Sequence, residues 1–176
     1  MRIAFCGSHG TGKTTLTQIC QEQYQLHSLT QTLRNFWKEQ GVTNFNTLPP
    51  EVRGEFQKYL LLHQLSCEDQ VWHQGLVTER SVLDFLAYTK VSSNMSDIDF
   101  SLYERLVRDR LQSYTRVFYL PIEFDMEPEN LRAPEDIRQE VDDCIVSYLD
   151  QWLPKSYVTL RGSVEERMDL IKSHLS

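Results

Sequence analysis

The 176-residue chain has no long apolar run. Its purest stretches, such as Tyr59-Leu60-Leu61-Leu62, fall far short of the roughly 18 residues that a membrane-spanning helix needs. Near the start, Ile3-Ala4-Phe5-Cys6 stops at Gly7, where the apolar segment of a secretory signal would continue. Cysteine is sparse. The four residues, at 6, 20, 67 and 144, form no Cys-x-x-Cys pair and sit among apolar neighbours as small core residues do. A disulfide scaffold is thereby excluded, and a soluble protein of the reducing cytoplasm is expected. Positive charge is also in deficit: 18 Lys and Arg against 25 Asp and Glu leave a net charge of −7. Broad electrostatic attraction to nucleic acid or to an anionic membrane is therefore not expected. What remains, 40% hydrophobic and 24% charged, describes one globular domain over residues 1–176, with no linker and no internal repeat.

Periodicity predicts a buried strand over 2–6, broken by Gly7 to Gly12, then a helix carrying Leu16, Ile19, Cys20 and Tyr24 on one face. A polar stretch leads to a helix near 30–40 and a loop from Gly41 to Pro50. From Glu51 to about His73, the positions Phe56, Leu60, His63, Cys67 and Val71 recur at helical spacing. Gly75 ends that helix. Leu76-Val77-Thr78 is short and β-prone, and Glu79-Arg80 separates it from a helix carrying Val82, Phe85, Leu86 and Tyr88. Further on come a helix over Asp99–Ser113, a strand over Arg116–Leu120 stopped by Pro121, and an acidic loop with three prolines over 121–134. A helix over 135–152, a strand over Tyr157–Leu160 and a last helix with Val164, Met168, Ile171 and Leu175 complete the chain. Strands alternating with helices imply an α/β protein of three layers, a parallel sheet with helices on both faces. Ligands of such sheets bind beyond the carboxyl ends of the strands.

One strand ends in unusual chemistry at Gly7-Ser8-His9-Gly10-Thr11-Gly12-Lys13-Thr14, which satisfies Gly-x4-Gly-Lys-[Ser/Thr] between a strand and a helix. Glycines there let backbone N–H groups turn inward around a phosphate, and the first helical turn, with Thr15, adds unpaired donors and the positive dipole end. Lys13 suits the β- and γ-phosphates, and the Thr14 hydroxyl suits Mg²⁺. His9 lends only its backbone in this reading. The motif resembles that of P-loop nucleotide hydrolases and kinases.

A second strand ends in Glu79-Arg80-Ser81, which is similar to the Glu-Arg-Ser motif of deoxynucleoside kinases and the Asp-Arg motif of thymidylate-type kinases. It also occupies the place of an acidic triplet in nicotinamide riboside kinases of the AAA_28-like group. That resemblance implies a P-loop nucleoside or nucleotide kinase in which Glu79 holds Mg²⁺ or accepts the proton of the attacking hydroxyl, and Arg80 grips phosphate. Phosphoryl transfer calls for such a carboxylate and cation in any case. The run Leu131 to Arg138 is similar to the lid of riboside-kinase-like proteins, with Pro128-Glu129-Asn130 where those have Asp-Gly. The lid is thus expected over about 121–134, with Arg132 as a catalytic arginine and Arg138 turned to the nucleotide or paired with Asp142. Arg161-Gly162-Ser163, by the same resemblance, forms an adenine-side loop.

The acceptor is expected in the helical region of about 30–74, where Arg34, Trp37, Arg53, Phe56 and Tyr59 supply aromatic planes and forked cations. His63 and Cys67 share a helix face but have no second pair of metal ligands. The resulting expectation is an ATP- and Mg²⁺-dependent kinase acting on a nucleoside, a nucleoside monophosphate or a related riboside. A kinase acting on a polynucleotide or a modified base in DNA, and a nucleotide-binding regulatory ATPase, are the alternatives. Nothing in the sequence opposes a homodimer.

Overall fold

In the computed structural model, residues 1–29, 41, 48–125 and 135–175 are described. The elements run β1 (Arg2–Cys6), α1 (Lys13–Tyr24), β2 (His27–Leu29), α2 (Pro50–Val71), β3 (Leu76–Thr78), α3 (Val82–Ser92), α4 (Asp97–Leu111), β4 (Arg116–Tyr119), α5 (Glu135–Trp152), β5 (Tyr157–Thr159) and α6 (Val164–Leu175). The expected helix near 30–40 lies outside the described residues. His27–Leu29 is a strand that the polar reading of this stretch does not anticipate.

The five strands form one sheet in the order β2-β3-β1-β4-β5, and every pairing is parallel. Alternation along the strands splits the core. Ile3, Phe5, Val77 and Phe118 point to the face covered by α1 and α6, where they meet Leu16, Cys20, Met168 and Ile171. Ala4, Cys6, Leu76, Val117 and Tyr119 point to the other face and pack on Leu60, Leu61, Leu86, Val107 and Ile145 from α2, α3, α4 and α5. Both faces of β1 are therefore dry, as its nearly continuous apolar run requires.

The central position of β1 fixes the site. Its neighbours are β3, with Ala4 opposite Thr78, and β4, with Cys6 opposite Tyr119. The carboxyl ends of these strands thus open at one edge, and the loop after β1 emerges between those after β3 and β4.

Candidate active site

The loop after β1 bends on glycine. Gly7 has φ +143°, and a Cβ there would lie 2.3 Å from the Leu120 carbonyl oxygen, so no side chain fits. Gly12 precedes α1 with φ +93° and no side-chain cap, which leaves the first N–H groups of the helix unclaimed by a side chain. Lys13, the first residue of α1, is buried. Its Nζ donates to Gly7 O at 2.7 Å and Ser8 O at 2.5 Å, and lies 3.4 Å from Thr11 Oγ1. Burial lowers its pKa to about 8, with Arg80 pressing the same way and Asp84 and Glu79 opposing.

Thr14 and Glu79 meet across the two strand ends. Thr14 Oγ1 donates to Glu79 Oε1 at 2.6 Å, a contact that the neighbouring register of β1 and β3 makes available. Arg80 turns back over α3, its guanidinium 5.3 Å from the centre of the Tyr88 ring. Tyr88 Oη in turn shares a 2.7 Å hydrogen bond with His9 Nδ1. His9 therefore contributes its ring as well as its backbone, which corrects the backbone-only expectation. Arg80, Tyr88 and His9 form a continuous wall from the end of β3 to the loop.

Two buried carboxylates brace the loop from behind. Asp84 Oδ1 accepts Gly7 N–H at 2.9 Å, while its Oδ2 accepts Ser81 N–H at 3.1 Å and closes the capping box of α3. Burial raises its pKa to about 6, against the pull of Lys13 and Arg80. Asp142 of α5 accepts from Tyr119 Oη at 2.6 Å and lies close to the Ser8 backbone N–H and to Lys13, and burial raises its pKa too. Arg138, also on α5, is fully buried and donates from Nε to His9 O at 3.1 Å and from Nη2 to Phe124 O at 2.9 Å. It therefore bonds the phosphate loop to the segment after β4.

A third arginine closes the far side. Arg167 of α6 donates from Nη1 to Thr11 O at 2.8 Å and from Nη2 to Glu123 Oε2 at 2.6 Å. Glu123 also accepts Gly162 N–H at 3.1 Å and lies 3.4 Å from Arg161 Nη1. Beneath this cluster a cavity of about 430 Å³ is lined by Gly12, Thr15, Leu16, Phe124, Ser163 and Arg167, among others. Its walls come from the start of α1, the stub of the expected lid and the loop after β5.

The structure thus brings together Lys13, Thr14, Glu79 and Arg80 at one edge, with Arg161 across the cavity. Arg34, Trp37 and Arg132 lie outside the described residues. On α2, Arg53 donates from Nε to Leu48 O at 2.8 Å and Phe56 is half-buried against the core. Tyr59 is exposed, its ring stacked on His63. Sequence reasoning missed Asp84, Glu123 and Arg167. For Asp84 the signal was present, because Ser81-x-x-Asp84 is a capping-box spacing; for Arg167, in a helix read only for its apolar face, there was none.

The sequence matches the AAA_28 model, an AAA domain, over residues 2–167. The chain belongs to the AAA_28 family. No curated protein sequence matches it. Among solved structures, this AAA_28 domain is similar to deoxyadenosine kinase from M. mycoides with the products dCMP and dCDP, at 18% identity and a TM-score of 0.76, covering 99% of this chain and 98% of that one. It is similar to NadR in complex with NR at 16% identity and a TM-score of 0.73, covering 98% of this chain but 50% of that one. Thymidylate kinase from Ehrlichia chaffeensis matches at 14% identity and a TM-score of 0.66, covering 98% and 97%. These likenesses establish the fold as that of P-loop nucleoside and nucleotide kinases. Among the described residues, no helix is long and apolar enough to cross a membrane.

Proposed function

We propose that this AAA_28 domain is an ATP-dependent kinase that transfers the γ-phosphoryl group to a hydroxyl or phosphate of a nucleoside, nucleoside monophosphate or related riboside. The observation that carries the reading is the 2.6 Å contact of Thr14 with Glu79, directly beside Lys13 and Arg80. Hydroxyl, carboxylate and two cations at the ends of adjacent strands are the groups that phosphoryl transfer needs.

The donor side follows from the loop. The β- and γ-phosphates take the place of the Gly7 and Ser8 carbonyls on Lys13, and the N–H groups opening α1 donate to phosphate oxygens. The base sits in the cavity between Phe124 and residues 162–164, beside Arg161.

Mg²⁺ fits the donor set present. Thr14 Oγ1 and Glu79 are hard oxygen ligands, and no cluster of three His, Cys, Asp or Glu side chains occurs among the described residues. Mg²⁺ prefers such a site, with one or two protein ligands and the rest from phosphates and water. When bound, the ion would neutralise charge on the phosphate oxygens.

On the acceptor side, Glu79 Oε1 faces Thr14, and the half-exposed carboxylate keeps Oε2 to take the proton of an attacking hydroxyl. The acceptor oxygen bonds to the γ-phosphorus, the bond to the bridging oxygen breaks, and ADP leaves. Arg80, held over Tyr88, lies where charge spreads during that transfer. Arg53 and Phe56 on α2 offer a fork and a ring to the acceptor, with Arg34, Trp37 and Tyr59 the further candidates. Arg132 is the candidate cation of a closing lid that excludes water.

The test is a mass-spectrometric screen of wild type and Lys13→Ala with ATP, Mg²⁺ and pooled deoxynucleosides, monophosphates, nicotinamide riboside and a short DNA. A product heavier by one phosphoryl group, formed only by wild type, supports the kinase and identifies its acceptor. ADP without a phosphorylated product overturns it in favour of an ATPase.

A further inference from the structure

The inner side of α2 carries two polar residues where the core would accept leucine. Gln64 and Glu68, one turn apart, are 2% and 0% exposed and share the buried side of the helix with Leu60, Leu61 and Leu65. Burying an amide and a carboxylate costs free energy unless their polar atoms find partners. Phosphoryl transfer at Glu79 and Arg80 makes no direct use of either.

Their partners lead to the site. Tyr114 Oη donates to Glu68 Oε1 at 2.6 Å, and Arg110 Nη1 lies 3.6 Å from Oε2. Burial raises the pKa of Glu68, while Tyr114, Gln64 and Arg110 all favour its ionised form. Gln64 Nε2 donates to the same Oε1 at 2.9 Å and to Thr78 Oγ1 at 2.8 Å. Thr78, the last residue of β3, is fully buried, and its hydroxyl donates to Arg80 O at 2.7 Å. An ionised carboxylate only accepts, so both amide hydrogens of Gln64 are committed, one to Glu68 and one to Thr78. The Thr78 oxygen is thereby an acceptor for Gln64, and its single hydrogen is left for the Arg80 carbonyl. The bonds run in one direction, from the buried side of α2 to the backbone of the Glu79-Arg80 turn.

We propose that Gln64 and Thr78 are positioning residues of the phosphoryl transfer, which fix the Arg80 carbonyl and with it the turn that presents Glu79 to Thr14 and Arg80 to Tyr88. The proposal rests on the kinase reading of Glu79 and Arg80. On its far side the turn is pinned at Ser81, whose N–H bonds to Phe5 O at 2.9 Å and to Asp84 Oδ2 at 3.1 Å. The Thr78 hydroxyl supplies the matching anchor on the near side. A displacement of about 1 Å in a reacting group costs on the order of 100-fold in rate, so this anchor acts on turnover more than on donor binding.

Steady-state kinetics with ATP, Mg²⁺ and the acceptor found by the mass-spectrometric screen test the proposal. Thr78→Val keeps the branched shape and removes the hydroxyl. Its kcat is expected to fall about 10- to 100-fold, with KM for ATP and thermal stabilisation by ATP close to wild type. Thr78→Ser, which keeps the hydroxyl, is expected to retain most of the rate. Gln64→Leu leaves that hydroxyl free to turn and is expected to lose about 3- to 10-fold, the worth of one hydrogen bond. Because both residues act on one carbonyl, the double variant is expected to be no slower than Thr78→Val alone. A wild-type kcat in Thr78→Val or in Gln64→Leu, a Thr78→Ser as slow as Thr78→Val, or losses that multiply in the double variant overturns the proposal. A wild type that phosphorylates no acceptor overturns the kinase reading and this proposal together, whereas an active wild type with equally active variants overturns this one alone.

Discussion

Gly7 and Asp84, 77 positions apart in sequence, are joined by a hydrogen bond of 2.9 Å from the backbone N–H of the first to the carboxylate of the second. The other oxygen of that carboxylate closes the capping box at Ser81, so one buried side chain both starts α3 and anchors the phosphate loop. Replacing it with Ala leaves the buried Gly7 N–H without an acceptor, while the Ser81 N–H keeps its 2.9 Å bond to the Phe5 carbonyl. Asp84→Ala is expected to cost about 1–3 kcal/mol, the penalty of one buried unsatisfied group, read from urea or thermal unfolding.

The same carboxylate makes stability depend on pH. Its pKa rises from an ordinary value of 3.8 to about 6 in the folded protein, so the folded state holds the proton more tightly than the unfolded chain. The contribution of this group is full below the unfolded value and is lost as pH rises through about 6. Unfolding measured from pH 4 to 7 should show that decline in wild type. Asp84→Asn should flatten it, and an unchanged slope would assign the decline to another carboxylate.

Gly7→Ala tests the tightest point of the loop. The added carbon meets the Leu120 carbonyl at 2.3 Å, and φ of +143° is unsuited to any side chain. A loss of at least about 2 kcal/mol is expected, together with loss of nucleotide-dependent thermal stabilisation. Stability without the loss of nucleotide response would show that the loop can shift and still bind.

Lys13 has a pKa lowered to about 8 by burial, and phosphates arriving beside it raise that value. Nucleotide binding at about pH 8 should therefore take up a fraction of a proton, and affinity should fall as pH rises further. Calorimetry in buffers of different ionisation enthalpy measures that uptake. Lys13→Met should abolish both the uptake and turnover.

Glu79→Gln separates chemistry from donor binding. The amide keeps an oxygen for Thr14 but cannot take a proton and holds a divalent cation poorly. Turnover is expected to fall about 10²- to 10⁴-fold, the range of a general base, with nucleotide affinity in the absence of metal changed by little. A variant that retains turnover would move the catalytic carboxylate elsewhere.

The α/β architecture was legible because β1, β3 and β4 are apolar on both faces and the helices between them show helical spacing. The strand β2 was not: His27-Ser28-Leu29 is three residues long, pairs among the described residues with β3 alone, and needs no apolar run. Within the site, the groups that contact substrate in the proposed reading, Lys13, Thr14, Glu79 and Arg80, stand in contiguous motifs and could be read directly. The groups that hold those motifs in shape could not. Asp142, Arg138 and Arg167 reach the loop from α5 and α6 through contacts that exist only once the sheet has formed. Tyr88 was taken for a core aromatic, and its hydroxyl proves to bind His9.

The hydrogen bond from Arg167 to Thr11 spans 156 positions. The ribosome makes Thr11 a full 156 residues before Arg167, so the letters of the phosphate loop emerge long before one of its braces. A nascent chain halted after β4 would already carry the glycines and the lysine, yet would lack Asp142, Arg138 and Arg167 to shape them. Competence to grip a nucleotide is thereby deferred until translation has passed α6.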